Sequence, residues 1–447
     1  MLHKPLFILA HQIGDRNFYP TYKRLLANQW QSYARQKESQ EIQLRKMVDF
    51  VWENVPYYHK LFRELGIVPA DIRQVEDLEK LPILTKEIIK KNWEDFKPKN
   101  LRSMKYYERS TGGSTGVPLK YRISKYDRFL SGALLYRGWG YGGYSLGDKI
   151  VFLAGSSLDI HPKSTLYDRI VQKTRNSIKL SAFDMDANTM NEFVDILNSF
   201  EPKFIRGYAS SIYLFANHIE KNGLRICSPK SVFTTAEKLY PHMRKKISSV
   251  FNCDVFDGYG LNDGGVSAYE CRQHSGLHID TERSVMEITS DEGKQLDYGT
   301  GKILATTLHN FAMPLIRYDT GDLGVLKSGI CSCGRGSKLL SEIVGRDKEM
   351  LMSPTGKYIH GAALYNDIVS EMKNANNLVE CQIIQTCKEL IIFNMVCKKQ
   401  FEDGELEHLR HLIKRKNDGL DVQFKYVNKL SKTNAGKHKF IISELDT

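Results

Sequence analysis

An α/β architecture is expected for this chain of 447 residues: a large N-terminal domain of several subdomains over residues 1–345, with parallel sheets and a β-rich part, followed by a small α+β domain over 346–447. Three observations predict it. Between residues 119 and 257 short apolar runs alternate with helical patterns of roughly ten residues, the signature of parallel layers. After residue 300 the alternation gives way to short strands separated by turns. Beyond Gly345-Arg346-Asp347 the texture changes again, to two strands, a helix and one more strand. The length also exceeds what one core fills, so two or three domains are expected.

Residues 20–66 read as helical. Ile42, Leu44, Met47, Val48, Val51 and Trp52 recur at helical spacing, and Pro56 closes that run. Thr85 is placed to cap a helix that begins at Lys86. The parallel layer is then read in order. Leu119–Ile123 is a strand and Tyr126–Gly138 a helix. Lys149–Ala154 is a buried strand ending at Gly155-Ser156. Met190–Phe200 is a helix leading to the strand Phe204–Tyr208, and a helix over Ser211–Asn222 leads to the strand Ser231–Thr235. Pro241–Val250 is a helix before the strand Val255–Asp257. The β-rich part holds Lys302–Thr307, Val325–Leu326 and Leu339–Ile343. In the small domain Val379–Thr386 and Glu389–Val396 pair, Glu405–Lys416 is a helix, and Asp421–Val427 is a strand.

The composition is that of an ordinary folded protein, with 41% hydrophobic and 26% charged residues. The net charge of +12 suits a nucleotide, a polyanion or an acidic membrane surface. The basic residues are scattered, with short runs at Lys90-Lys91 and Arg244-Lys245-Lys246, and no nucleic-acid-binding motif is present, so no nucleic-acid partner is expected. No apolar stretch approaches the ~20 residues of a membrane span. The run Leu6–Ala10 has no cleavage site after it. A cytoplasmic protein is expected, monomeric or a homodimer, with peripheral membrane contact still compatible. Its eight cysteines are then reduced or metal-bound.

The chemistry concentrates in five stretches. In Ser110-Thr111-Gly112-Gly113-Ser114-Thr115-Gly116-Val117-Pro118 the glycines free the backbone to aim N–H groups at one point, and the hydroxyls add donors. Such a loop can cradle phosphate oxygens. It lacks the P-loop spacing G-x-x-x-x-G-K-S/T, and composition alone also allows a solvated linker. The others are Phe233-Thr234-Thr235-Ala236-Glu237, Phe256-Asp257-Gly258-Tyr259-Gly260-Leu261-Asn262-Asp263, the turn Arg317-Tyr318-Asp319-Thr320-Gly321-Asp322-Leu323, and Lys432-Thr433-Asn434-Ala435-Gly436-Lys437.

In order and spacing these stretches resemble the adenylate-forming ligase superfamily, within it the phenylacetate–CoA ligase family, and there its relatives of capsular polysaccharide biosynthesis. The resemblance spans nearly the whole chain. Thr111–Pro118 is similar to T-S-G-T-T-G-x-P, Tyr259–Asp263 to Y-G-x-T-E with Asn262 for Thr and Asp263 for Glu, Tyr318–Asp322 to Y-x-T-G-D, and Lys432–Lys437 to K-T-x-S-G-K with Ala435 for Ser. It implies an acyl-adenylate ligase fold with a mobile C-terminal domain, and ATP, Mg²⁺ and coenzyme A as ligands. Ser110, Thr111, Gly112, Gly113, Ser114, Thr115 and Gly116 would hold the β- and γ-phosphates. Asp263 would help place Mg²⁺. Tyr259 would stack on adenine beside Ala236 and Glu237, with Gly260 and Asn262 next to it and Asp257 near the amino edge. Asp322 would take the ribose diol, its two oxygens suiting two hydroxyls. Arg346 would reach the nucleotide, Lys348 would be the hinge, and Lys437 would contact the forming adenylate.

The cysteines pose a separate question. Cys331-Ser332-Cys333-Gly334 is a tight C-x-C-G turn, and Cys271 lies upstream with His274 and His278 after it. Three cysteines and one histidine would make a tetrahedral zinc shell, while buried free thiols are the alternative. The resemblance favours Cys271, His278, Cys331 and Cys333, with His274 as the spare. Cys227, Cys253, Cys381, Cys387 and Cys397 read as packing residues.

The acid pocket is expected among Phe204–Tyr213, Thr234–Glu237 and Tyr259–Gly265, where Tyr208-Ala209-Ser210-Ser211 suits a polar acid. Arg206, at a strand end, would face an acidic substrate or form a structural ion pair. The function implied is an ATP-dependent carboxylate ligase that passes the acyl group to CoA. A second reading passes it to an amine or hydroxyl acceptor in surface-polysaccharide synthesis. A non-catalytic nucleotide-binding scaffold is the third, kept open by Asn262, Asp263 and Ala435.

Overall fold

The computed structural model describes residues 3–111, 119–155, 171–182, 185–346, 350–356, 358–360, 364–365, 368–369, 371–374, 377–430 and 440–445. The expected parallel layer is a five-stranded sheet. Its strands lie in the order Ser177–Ser181, Ile150–Ala154, Phe204–Tyr208, Ser231–Thr235 and Asp254–Phe256, every neighbouring pair parallel. The edge strand Ser177–Ser181 has no counterpart in the sequence reading, because Lys179 and two serines break its apolar run.

Alternation along the strands sorts the side chains between two faces. Val151, Leu153, Ile205, Val232 and Val255 pack with Ile212, Phe215, Met243 and Ile247 of the helices Ala209–Lys221 and Pro241–Phe251. Ile150, Phe204, Phe233 and Phe256 face the helix Lys125–Tyr141 through Leu130, Ala133, Leu134 and Trp139. That helix starts where the Ser124 hydroxyl accepts the Asp127 N–H, an N-cap. An N-terminal helix, His3–Gly14, which the sequence reading did not assign, lays Phe7 and His11 against the same cluster. Thr85 caps Lys86–Lys91 as expected, accepting from Ile88.

The β-rich part reaches further back than residue 300. Seven antiparallel strands run in the order Ser284–Thr289, Gly299–Thr307, Tyr318–Lys327, Leu339–Arg346, Leu277–Ile279, Ser267–Glu270 and Gly258–Gly260. The Tyr-Asp-Thr-Gly-Asp segment is a bulged strand rather than a turn. It stays in the ladder by register shifts, and Gly321 takes φ +75°, a left-handed value that glycine adopts without a Cβ penalty.

Buried ion pairs brace this sheet. Arg283 grips Asp127 at 2.7 and 3.1 Å and so ties it to the Lys125–Tyr141 helix. Arg317 holds Glu287 at 3.1 Å. Removing one partner of such a pair strands a buried charge, at a cost of about 3–5 kcal/mol.

Residues after 377 form a four-stranded sheet in the order Asp421–Tyr426, Leu390–Cys397, Leu378–Cys387, Ile441–Ser443, with the helix Asp403–Lys416 packed on it. The central pair is the expected hairpin, and both outer strands add in parallel. Its apolar residues join the core beneath the parallel sheet, leaving a cavity of about 80 Å³ lined by Tyr213, His242, Tyr365 and Phe440. Among the described residues no helix is long and apolar enough to cross a membrane.

Candidate active site

The two sheets meet along the segment Asp254–Gly260, which ends the parallel sheet and opens the antiparallel one. The sequence-predicted nucleotide residues converge there. Tyr259 sits in the strand Gly258–Gly260, and its hydroxyl donates to Asp322 Oδ2 at 2.9 Å. Burial and the neighbouring Asp322 carboxylate hold this phenol well above its ordinary pKa, so it remains a proton donor. The Asp322 N–H is itself held by Thr320 Oγ1 at 3.1 Å. Asp263 is buried, with one oxygen accepting from Tyr318 O–H at 2.8 Å. Gly260 and Asn262 follow on the exposed rim.

The residues expected beside the base are likewise fixed. Asp257 accepts from Thr234 Oγ1 at 2.7 Å and from the Gly258 N–H at 3.0 Å. Burial nonetheless pushes its pKa up. Glu270 bonds the Asp257 N–H and is gripped by both Nη2 contacts of Arg244, at 3.0 and 3.1 Å. Ala236 takes φ +66°, and Glu237 Oε2 accepts the Ser210 N–H at 2.9 Å. A non-glycine residue at such a φ is uncommon and marks a backbone held by its surroundings.

The rest of the predicted set is only partly described. Ser110 ends the strand Tyr106–Ser110, paired with Lys120. Thr111 closes the neck of the glycine-rich loop: its N–H bonds Leu119 O, and its Oγ1 accepts the Leu119 N–H at 3.0 Å. Gly112, Gly113, Ser114, Thr115 and Gly116 lie outside the described residues, as do Lys348 and Lys437. The backbone of Arg346 ends the strand Leu339–Arg346, directly across the ladder from Asp322. Lys238 bonds Glu342 at 2.7 Å and Val344 O at 3.1 Å, tying the Glu237 segment to the strand Leu339–Arg346.

Cys271, His278, Cys331 and Cys333 come together with all four donor atoms within 4.8 Å of one another. Cys271 and Cys331 Sγ are 3.7 Å apart, too far for a disulfide. Tetrahedral zinc–thiolate bonds of about 2.3 Å place two sulfurs about 3.8 Å apart. Cys333 Sγ lies 3.3 Å from His278 Nε2, and Ser337 Oγ is 3.1 Å from the other ring nitrogen, which orients the imidazole. His274, the spare candidate, instead faces Glu270 and Arg244 at 3.1 and 3.3 Å. Of the remaining cysteines Cys381 is buried, Cys227, Cys253 and Cys397 are half-buried, and Cys387 is exposed, so Cys387 does not pack as expected.

Residues 351–444 match the CapK C-terminal domain family. Over 414 residues the chain is 25% identical to Protein CapK of Staphylococcus aureus, covering 91% of this chain and 89% of that protein. The relatives of this chain extend to CoA ligases. The chain is also 27% identical over 342 residues to a phenylacetate-coenzyme A ligase of Thermus thermophilus, covering 70% of this chain and 71% of that one. The fold matches 2-hydroxyisobutyryl-CoA ligase in its post-adenylation state in complex with R3-HIB-AMP, with a TM-score of 0.75 at 18% identity over 93% of this chain and 91% of that chain. The sequence motifs pick out Tyr259, Asp263 and Asp322. They do not reveal the residues that hold these in place. Tyr318, which donates to Asp263, and Thr234, which donates to Asp257, fall within the motif stretches, but neither contact is legible there. The Arg244–Glu270 brace had no sequence signal, because its halves lie on different elements.

Proposed function

We propose that this protein is an ATP-dependent, AMP-forming carboxylate ligase that makes an acyl-adenylate and transfers the acyl group to coenzyme A. The observation that carries the reading is the Tyr259–Asp322 pair, flanked by Asp257, Glu237 and the buried Asp263 where the two sheets join. A carboxylate with two acceptor oxygens beside an aromatic face suits a nucleoside: the diol on Asp322, the base on the Tyr259 ring. The substrate carboxylate attacks the α-phosphorus, the bond to the β-phosphate oxygen breaks, and pyrophosphate leaves. Negative charges converge in that step and need donors fixed in advance. Asp263 would hold Mg²⁺, which neutralises phosphate charge when bound. Ser110–Gly116 would hold the β- and γ-phosphates, and Lys437 would supply the cation at the forming adenylate.

Residues 346–447 form a small mobile domain in this reading, hinged at Lys348. The family match beginning at residue 351 and the strand ending at Arg346 support that boundary. The four-residue thiol–imidazole cluster binds a structural zinc ion: its spacing fits, and four protein ligands close the shell to water. Small carboxylic acids are the substrates, and the protein works in the cytoplasm.

The 25% identity to CapK over nine-tenths of the chain favours a second acceptor class, an amine or hydroxyl of a surface-polysaccharide precursor. Pyrophosphate release from a panel of acids tests the adenylation. Dependence of the product on added CoA separates the two acceptors. ATP binding without pyrophosphate release from any acid leaves a non-catalytic scaffold.

A further inference from the structure

Among the described residues Arg206 has no counter-ion, although it lies in the middle of the parallel sheet. It lies in the strand Phe204–Tyr208 and, by alternation, on the face of Phe204, Phe152 and Phe233, toward the helix Lys125–Tyr141. Its guanidinium stands 4.9 Å from the centre of the Trp139 ring. Its Nε is sealed from solvent and has no hydrogen-bond partner, yet the residue as a whole keeps partial exposure. The group therefore borders an opening.

The other buried arginines show what this one lacks. Arg137 holds Asp280 and Glu282, Arg283 holds Asp127, Arg317 holds Glu287, and Arg122 reaches Glu108. Among the described residues no carboxylate lies within ion-pair distance of Arg206. The groups that act on its charge are the phenols of Tyr269, Tyr136 and Tyr208. Burial lowers its pKa to about 10, which leaves it charged at neutral pH. A desolvated guanidinium without an anion is costly, and a bound carboxylate repairs the cost by two parallel charge-assisted hydrogen bonds.

The opening is aromatic and lies next to the nucleotide residues. Tyr136, Phe152 and Tyr269 are all partly exposed, as Arg206 is. The Tyr269 ring fits there because two neighbours are glycine: a Cβ at Gly138 would come within 2.3 Å of it and one at Gly258 within 3.2 Å. Gly258 immediately precedes Tyr259. Arg206 pairs in register with Phe233, one residue before the Thr234 that holds Asp257.

We infer that Arg206 is a specificity-determining residue that grips the distal carboxylate of a dicarboxylic acid, whose other carboxylate is the one activated. The inference rests on the adenylating reading of the neighbouring site and names its substrate class. A guanidinium set among aromatic side chains recognises a short acid that is apolar along its length and anionic at its far end.

The test compares pyrophosphate release, with ATP and Mg²⁺, from dicarboxylic acids between malonic and adipic acid and from their monomethyl esters. The wild-type protein favours the best diacid over its monoester by at least about tenfold in kcat/KM, the scale of a hydrogen bond to a charged group. In Arg206→Met that ratio falls to about one, while Arg206→Lys keeps part of it, because a point charge replaces a two-pronged donor. The melting temperature of Arg206→Met stays level or rises, since an unpaired buried charge is removed. A wild-type preference for monoesters or hydroxy acids, or an unchanged ratio in Arg206→Met, overturns the inference. A lowered melting temperature with an equal loss for both acid classes makes Arg206 structural and also overturns it.

Thermal stabilisation by the diacid alone, without ATP, separates the two levels of the argument. Diacid stabilisation lost in Arg206→Met, with no pyrophosphate from any acid, upholds the site and refutes adenylation. Pyrophosphate from monoacids only upholds adenylation and refutes the site. Neither stabilisation nor pyrophosphate refutes both.

Discussion

Replacing Tyr259 by Phe isolates one bond at the centre of the site. The aromatic face stays and the hydroxyl goes. The lost bond runs 2.9 Å to Asp322 Oδ2, in a residue only 7% exposed. A hydrogen bond to a charged acceptor contributes about 1.5–3 kcal/mol, and a buried acceptor left without its donor costs a similar amount. Asp322 keeps its backbone bond to Thr320, but its carboxylate loses the Tyr259 donor. The carboxylate is then held less firmly in the position in which it would meet the ribose diol. The expected results are a loss of about 1–2 kcal/mol of folding stability and a rise of about tenfold in KM for ATP, a penalty of about 1.4 kcal/mol. The ring is retained, so kcat falls much less than kcat/KM. Urea melts and initial-rate kinetics with varied ATP check both numbers. A KM for ATP within a factor of about two of wild type would refute the reasoning, because the bond would then not orient the ribose acceptor.

Two further outcomes are expected. Cys333→Ser loses bound metal, with zinc per chain falling well below one by elemental analysis and the melting temperature dropping; a strong chelator lowers the wild-type melting temperature in the same direction, and a metal-free wild-type protein insensitive to the chelator contradicts the zinc reading. Glu287 supplies a pH signature: burial pushes its pKa from the ordinary 4.5 to about 7, against the pull of Arg317. The folded state then holds a proton that the unfolded state releases, so this contribution is complete below pH ~4.5 and is lost as the pH rises through ~7. Glu287→Gln flattens the stability curve across that window, and an unchanged slope in urea melts at several pH values refutes the assignment.

The sequence made the layered architecture legible where burial imposes a simple period. Phe204–Tyr208 and Ser231–Thr235 are short apolar strands between helices, and their bounds coincide with those read from the residues. The period fails where a strand is mixed or bulged. Ser177–Ser181 carries Lys179 in its middle, and Tyr318–Lys327 hides its strand behind glycines and aspartates that read as a turn. Tyr259, Asp263 and Asp322 were picked out by motif, and the fold brings Tyr259 onto Asp322 and Tyr318 onto Asp263. Their supports, such as Arg244 with Glu270, depend on contacts across elements that no local pattern encodes. The resemblance favoured His278 over His274, and the fold supplies the physical reason. His278 lies in a strand paired with the one that follows the cysteine turn, whereas His274 turns away to Glu270. The alternatives left open for Arg206 narrow in the same way, because no described carboxylate pairs with it.

The central claim is that this chain activates a carboxylate with ATP, and its most direct measurement is pyrophosphate release over a broad panel of acids, with and without CoA, in the wild-type protein and in Lys437→Ala. The account predicts acid-dependent pyrophosphate release in the wild type, CoA-dependent consumption of the adenylate, and loss of the first step in Lys437→Ala with ATP binding retained. Pyrophosphate release at the wild-type rate in Lys437→Ala would remove the lysine from the mechanism. ATP binding with no acid-dependent pyrophosphate release in the wild type would contradict the account as a whole.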